Sequence, residues 1–165
     1  MIVKDPPSSR ISVADMCRRM DISRQLYYTY FPDKDSCLIS LIDRMIQESM
    51  DCLPDVPQQK SAIEKMTLEY LSYWQNHSDF LDIVVRRNLK SLVIERGFLY
   101  FKGLGIWDYL DTPEIKADDI ILWLFVAIRY IVLLQWHESG YALSIEEMAA
   151  KYLRMLQQPL VQNQP

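Results

Sequence analysis

Apolar residues recur along most of the chain with the period of an α-helix, and no segment shows the two-residue alternation of a strand. The first such segment has apolar residues at i, i+3, i+4 and i+7, namely Val13, Met16, Cys17 and Met20. Ser12 and Asp15 stand in the positions of a capping box, so we expect this helix to begin just after Ser12.

A second short helix follows after a break in the pattern at MDIS (20–23). Ser23 is a suitable N-cap, and Pro32 disfavours helical backbone at the residue before it. We expect the inward face of this helix to consist of Ile22, Leu26, Tyr27 and Tyr30. Phe31 closes the end of the helix. The opposite face then carries Arg24, Gln25, Tyr28 and Thr29. A short helix, a three-residue turn and a second short helix outline a helix-turn-helix.

The rest of the chain predicts six more helices. Asp35 to about Cys52 forms a long helix with an apolar face of Leu38, Leu41, Ile42, Met45 and Ser49, and residues 53–59 form a linker. Helices follow over 61–77, 79–88, 91–102, 119–137 and 145–156. Ser144 and Glu147 form a capping box before the last helix. The fold class is therefore all-α, with residues 1–52 as one module and 55–165 as a helical domain.

The distribution of charge along the chain gives evidence on the kind of partner. The net charge is −4, yet residues 1–38 hold six bases and five acids, so the acidic excess lies in the remainder. This asymmetry weakly favours a nucleic-acid-facing N-terminal end. The 119–137 segment is apolar but short for a membrane span and carries Arg129, which favours a buried helix.

The sequence holds no pattern typical of an enzyme or a metal site. It has no glycine-rich phosphate loop and no nucleophile motif, and its three cysteines form no CxxC pair. We therefore expect no catalytic residue, no metal and no cofactor. Reduced, buried thiols are the simplest interpretation of the cysteines.

The outer face of the second short helix suits the DNA major groove. Arginine pairs with guanine through two hydrogen bonds, and glutamine pairs with adenine in the same way. Hydroxyl and ammonium groups contact phosphates, and so do the free N–H groups at the start of a helix. The predicted DNA-contacting residues are Ser12, Ser23, Arg24, Gln25, Tyr28, Thr29 and Lys34. From spacing alone, a plain helical hairpin with a solvated polar face is equally possible.

Residues 11–38, ISVADMCRRMDISRQLYYTYFPDKDSCL, resemble the DNA-binding module of TetR/AcrR transcriptional regulators, closest to the dihydroxyacetone-kinase type. The matching residues are Ser23, Arg24, Gln25, Tyr28, Phe31, Asp33 and Lys34. The sequence departs from that pattern at Leu26, Thr29, Tyr30 and Cys37. Residues 133–156 are similar, more vaguely, to the closing helices of such regulators.

The resemblance implies a cytoplasmic homodimer that binds double-stranded operator DNA and responds to an unidentified small molecule. The residues expected to line the effector site are Met66, Tyr70, Trp74, Phe98, Phe101, Trp107, Trp123 and Tyr130. Those expected at the dimer interface are Ile121, Leu124, Phe125, Ile128, Val132, Met148, Tyr152 and Leu156. The alternative is a helical dimeric interaction module that has lost DNA binding.

Members of that family usually have a full helix before this segment, whereas here only MIVKDPPSSR precedes it. Pro6 and Pro7 do not fit a helix interior. The resemblance thus implies that the first helix is absent. Apolar atoms of the next two helices would then meet water, so we expect a loosened DNA-binding module and weakened operator affinity.

Overall fold

The computed structural model describes residues 12–51, 60–104 and 119–157, and these form α-helices without a strand. The helices are α1 (Val13–Met20), α2 (Arg24–Tyr30), α3 (Lys34–Asp51), α4 (Lys60–Asn76), α5 (Ser78–Arg86), α6 (Lys90–Gly103), α7 (Asp119–Glu138) and α8 (Ile145–Gln157). The all-α prediction is confirmed for this part of the chain. The expectation of a missing first helix concerns residues outside it, as do the predictions for the 53–59 linker and for Cys52.

The predicted helix-turn-helix is present, and side-chain caps define its ends. The Ser12 hydroxyl accepts a hydrogen bond from the Asp15 N–H (3.1 Å), and the Asp15 carboxylate accepts one from Ser12. α1 ends because Asp21 is in the left-handed region (φ 53°). After a three-residue turn, the Ser23 hydroxyl accepts from the Leu26 N–H (3.0 Å) and caps α2.

α3 connects the helix-turn-helix to the main helical core. It begins beside α2, where the Asp33 carboxylate accepts a hydrogen bond from the Ser36 N–H (2.7 Å). Farther along, Ile42, Ile46 and Ser49 are fully buried in the main core. The predicted inward position of Leu41 is wrong, because this residue lies about 100° around the helix from Ile42 and is exposed.

The main core surrounds α7, which packs against α4, α5 and α6. Its buried side chains are Leu122, Val126, Tyr130, Leu133, Leu134 and Trp136. α8 packs chiefly on α4, and its predicted capping box is confirmed by hydrogen bonds in both directions between Ser144 and Glu147 (2.8 and 3.2 Å).

Two polar contacts tie helices together around this core. Arg96 of α6 donates two hydrogen bonds of 2.6 Å to the Asp43 carboxylate of α3. His137 of α7 bridges the Asp82 carboxylate of α5 (3.0 Å) and the Tyr141 hydroxyl (2.9 Å). The first contact joins α3 to α6, and the second joins α5 to α7.

Among the described helices, α7 is long and apolar enough to cross a membrane by length and composition. The core helix of a folded domain passes the same test. Because one face of α7 is packed inside the helical core and the helix carries Arg129, we interpret it as a helix of that core.

Gly97 allows α6 and α7 to pack closely. A methyl group at this position would lie 2.5 Å from Cε2 of Tyr130 and 3.2 Å from Val126. Both neighbours are buried in the main core, at 2 % and 0 % exposure. The glycine is therefore a steric requirement of this helix pair.

We predict that Gly97→Ala destabilises the protein by about 1–3 kcal/mol, because the added methyl overpacks the contact. The measurement is urea unfolding followed by circular dichroism. Gly103→Ala, in the same helix, is the matched control, since a methyl there meets no atom within 4 Å. Equal stability of the two variants would contradict the steric explanation.

Candidate nucleic-acid interface

α2 presents almost all of its side chains to solvent. Only Tyr27, at 2 % exposure, is buried, and the other six residues of the helix are exposed. The exposed side chains include the four on the predicted outer face, Arg24, Gln25, Tyr28 and Thr29. A helix with so little internal contact is available to an external surface.

Tyr27 anchors α2 to the rest of the module. Its hydroxyl donates a hydrogen bond to the Asp33 carbonyl (3.1 Å), and its ring lies 5.5 Å from that of Phe31. The hydroxyl also lies near the thiols of Cys17 and Cys37, which join α1 and α3 to this small cluster. Burial raises the pKa of Tyr27 to about 12, so the hydroxyl remains a donor at neutral pH.

The predicted inward positions of Leu26 and Tyr30 are wrong, because these side chains are 46 % and 72 % exposed. α2 has only two turns and packs mainly on α1, so one narrow strip of its surface is covered. The short predicted length of both helices was the signal that could have revealed this. The exposed face consequently gains a leucine and a second tyrosine.

The side chains of Arg24, Gln25 and Tyr28 make no hydrogen bond or ion pair to any described residue. Lys34 is half-buried at the start of α3. Three other predicted DNA contacts already have local partners: the hydroxyls of Ser12 and Ser23 cap helices, and that of Thr29 donates to the Gln25 carbonyl (3.0 Å). The DNA-contacting roles of all seven residues remain predictions.

Local hydrogen bonds favour the ionised form of two carboxylates in this module. Ser12 lowers the pKa of Asp15, and Ser36 lowers the pKa of Asp33, relative to the ordinary value of 3.8. A lowered folded-state pKa stabilises the fold above the unfolded pKa. This contribution is lost as the pH falls through the folded-state value.

The predicted effector residues are mostly core residues. Tyr70, Trp74, Phe98, Phe101 and Tyr130 are buried in one cluster, Met66 is half-buried, and Trp123 is partly exposed and stacks on Phe98 (4.5 Å). Trp107 lies outside the described residues. Arg129 is not among the predicted effector residues, yet its guanidinium carbon lies 3.5 Å from the Tyr70 ring centroid.

The predicted dimer residues fall into two groups. Ile121 and Leu124 are exposed on α7, while Phe125, Ile128, Val132 and Tyr152 are half-buried. Met148 is buried within its own chain against the main core, so it is not free to meet a partner there. The side chain of Leu156 lies outside the described part of the protein.

Within the described ranges no group of three or more histidine, cysteine or acidic side chains is placed to hold a metal ion. Cys17 and Cys37 are free thiols. The candidate site is therefore the exposed face of α2, whose groups are hydrogen-bond donors and acceptors.

Comparison with known proteins gives a short match. Over 48 residues the chain is 38 % identical to the HTH-type transcriptional regulator EthR of Mycobacterium tuberculosis and of Mycobacterium bovis. The match covers 29 % of this chain and 22 % of the regulator, so the chain spans about a fifth of the curated relatives it matches. No family model matches the chain, and no solved structure matches it significantly. The likeness is thus to a helix-turn-helix transcriptional regulator, over a short segment.

We predict that Tyr27→Ala destabilises the module by about 3–5 kcal/mol, because it removes a buried ring and leaves a cavity. Tyr30→Ala, three residues along the same helix, should change stability by no more than about 0.5 kcal/mol. Urea unfolding followed by circular dichroism compares the two. Similar losses in both variants would mean that Tyr30 is also buried.

Proposed function

We propose that the protein is a cytoplasmic, sequence-specific DNA-binding transcriptional regulator of the TetR/AcrR type. The observation that carries the proposal is the exposed face of α2, where the side chains of Arg24, Gln25 and Tyr28 make no hydrogen bond or ion pair to any described residue. The short likeness to an HTH-type transcriptional regulator supports it. The finer resemblance to dihydroxyacetone-kinase-type regulators remains a prediction from the sequence.

In this proposal α2 enters the major groove of double-stranded DNA. Arg24 and Gln25 are adjacent, and each forms a bidentate pair with one purine. Tyr28 and Lys34 contact phosphates and fix the position of the helix. Tyr27 holds α2 against α1 and the start of α3, so the groups that contact the bases project from a fixed backbone.

We also propose a homodimer formed through α7. Its exposed apolar residues Ile120, Leu124 and Ile131 recur at helical spacing, and Ile121 lies beside them. Large apolar side chains on a helix that also packs in the core suit a two-fold helix–helix interface. A dimer places two copies of α2 on successive half-sites of DNA.

The contact of α3 with α6 provides the connection between the effector domain and DNA binding in this proposal. Arg96 and Asp43 join the two helices through paired hydrogen bonds, and α6 contributes Phe98 and Phe101 to the predicted effector site. A small molecule that shifts α6 would thereby shift α3 and the α2 that precedes it. Effector binding and DNA binding would then influence each other reciprocally.

The second candidate function is a dimeric interaction module without DNA binding. The observation that favours it is the net charge of −4, which opposes general attraction to DNA. The exposed apolar face of α7 would serve either function. DNA-binding measurements therefore separate the two.

We predict that Arg24→Ala weakens binding to the preferred duplex by about tenfold or more, through loss of a base contact worth about 1–3 kcal/mol. Duplexes selected from a random library are compared with scrambled duplexes by fluorescence anisotropy at two salt concentrations. Arg87→Ala, at an exposed arginine after α5, is the matched control and should bind like the unaltered protein. Failure of the unaltered protein to prefer any duplex would support the interaction module.

We predict that Leu124→Glu converts a dimer into monomers at micromolar concentration, because it places a charge in an apolar interface. Light scattering coupled to gel filtration gives the mass. Leu99→Glu is the control, since Leu99 is an exposed leucine of α6 with similar exposure (45 % against 51 %). A monomeric unaltered protein would rule out the dimer.

A further inference from the structure

Arg129 of α7 is a half-buried cation that packs against aromatic and sulfur groups. Its guanidinium carbon lies 3.5 Å from the Tyr70 ring centroid and 5.4 Å from that of Phe101. One terminal nitrogen donates to the Met50 sulfur at 3.5 Å. The Nε atom is shielded from solvent and has no hydrogen-bond partner among the described residues.

No described carboxylate lies within 4 Å of this guanidinium, whereas seven other basic side chains, including Arg96, pair with an acid in the described part of the chain. An arginine keeps its charge under all physiological conditions. Aromatic faces and a thioether compensate only partly for lost water. The site therefore carries one positive charge that no described carboxylate balances.

Two further hydrogen-bonding groups nearby are also unsatisfied, one on Tyr70 beside Arg129 and one on Trp74 beside Tyr70. In the described ranges the Tyr70 hydroxyl and the Trp74 indole N–H are buried without a hydrogen-bond partner, and the two residues are 5 % and 0 % exposed. The Tyr70 hydroxyl faces both the guanidinium and the indole nitrogen, but no hydrogen bond of normal geometry joins them. Burial raises the pKa of Tyr70, so its hydroxyl keeps the proton and can donate.

We propose that Arg129, Tyr70 and Trp74 bind the carboxylate of a small apolar monocarboxylic acid. All three groups are donors, and a carboxylate offers acceptor sites for all of them and one balancing charge. A phosphate dianion would leave excess negative charge in this site. The aromatic surroundings, which include Phe101 and Tyr130, suit an aromatic or aliphatic body.

Calling this acid the effector rests on the proposed function. Binding of the acid itself does not, because it is measured without DNA. The probes are 3-phenylpropionate and octanoate, each compared with its neutral amide. Thermal unfolding and calorimetry report binding. We expect the acids, and not the amides, to raise the melting temperature of the unaltered protein.

Arg129→Met tests the charge. Methionine keeps an unbranched apolar chain in the same place, so the variant should be as stable as the unaltered protein, or more so, when no acid is present. Its affinity for the acids should fall by about 10- to 100-fold, as expected for a lost charge-assisted hydrogen bond. Arg44→Met, at an exposed arginine of α3, should bind the acids normally.

Tyr70→Phe provides a second test that does not change the charge. Because the hydroxyl has no hydrogen-bond partner among the described residues, its removal should leave the melting temperature without acid unchanged and weaken acid binding by about 3- to 10-fold. The proposal is overturned if neither acid stabilises the unaltered protein. That result would mean that ordered water, and not a carboxylate, satisfies these donors. It is also overturned if Arg129→Met or Tyr70→Phe binds the acids normally.

The two proposals fail separately. If the acids bind through Arg129 but the protein prefers no DNA sequence, the carboxylate site stands and the regulator proposal does not. If the protein binds a selected duplex and no acid, only the carboxylate site is lost. A change in duplex affinity on adding a bound acid would join the two.

Discussion

The packing of α6 against α7 at Gly97 is the contact on which the rest of the core depends. The absence of a side chain there lets the Tyr130 ring lie against the α6 backbone, and the same ring meets Trp74 of α4 edge-on at 6.3 Å. Three helices are thus positioned by one tyrosine. Because Arg129 precedes Tyr130 on α7, its place beside Tyr70 follows from the same packing.

Local rules predicted the ends of the elements well. The Ser12, Ser23 and Ser144 caps and the three-residue turn before α2 each depend on residues close in sequence, and the structure contains them. The errors at Leu26, Tyr30 and Leu41 have a different origin. Helical periodicity gives the angle between side chains around the helix axis. Which side of the helix is buried depends on the neighbouring helices, and sequence spacing does not locate them.

The candidate sites show the same division. The polar face of α2 was predictable, because its residues are consecutive and the turn before them is short. The surroundings of Arg129 were not, since Met50, Tyr70 and Phe101 come from three other helices. From the sequence alone, this arginine served only as evidence against a membrane-spanning helix. In the fold it is a half-buried charged group packed against aromatic rings, and charged groups in such surroundings are commonly tied to function.

The length of α3 gives small movements in the core a large effect at the other end of the molecule. Eighteen residues of α-helix extend about 27 Å, from the Asp33 cap beside α2 to Asp51. A tilt of roughly 10° about the far end would carry the start of this rod through roughly 5 Å. That distance exceeds the ~3.4 Å step between stacked base pairs. A tilt that breaks no helix would therefore be enough to move α2 by more than one base-pair step along a double helix.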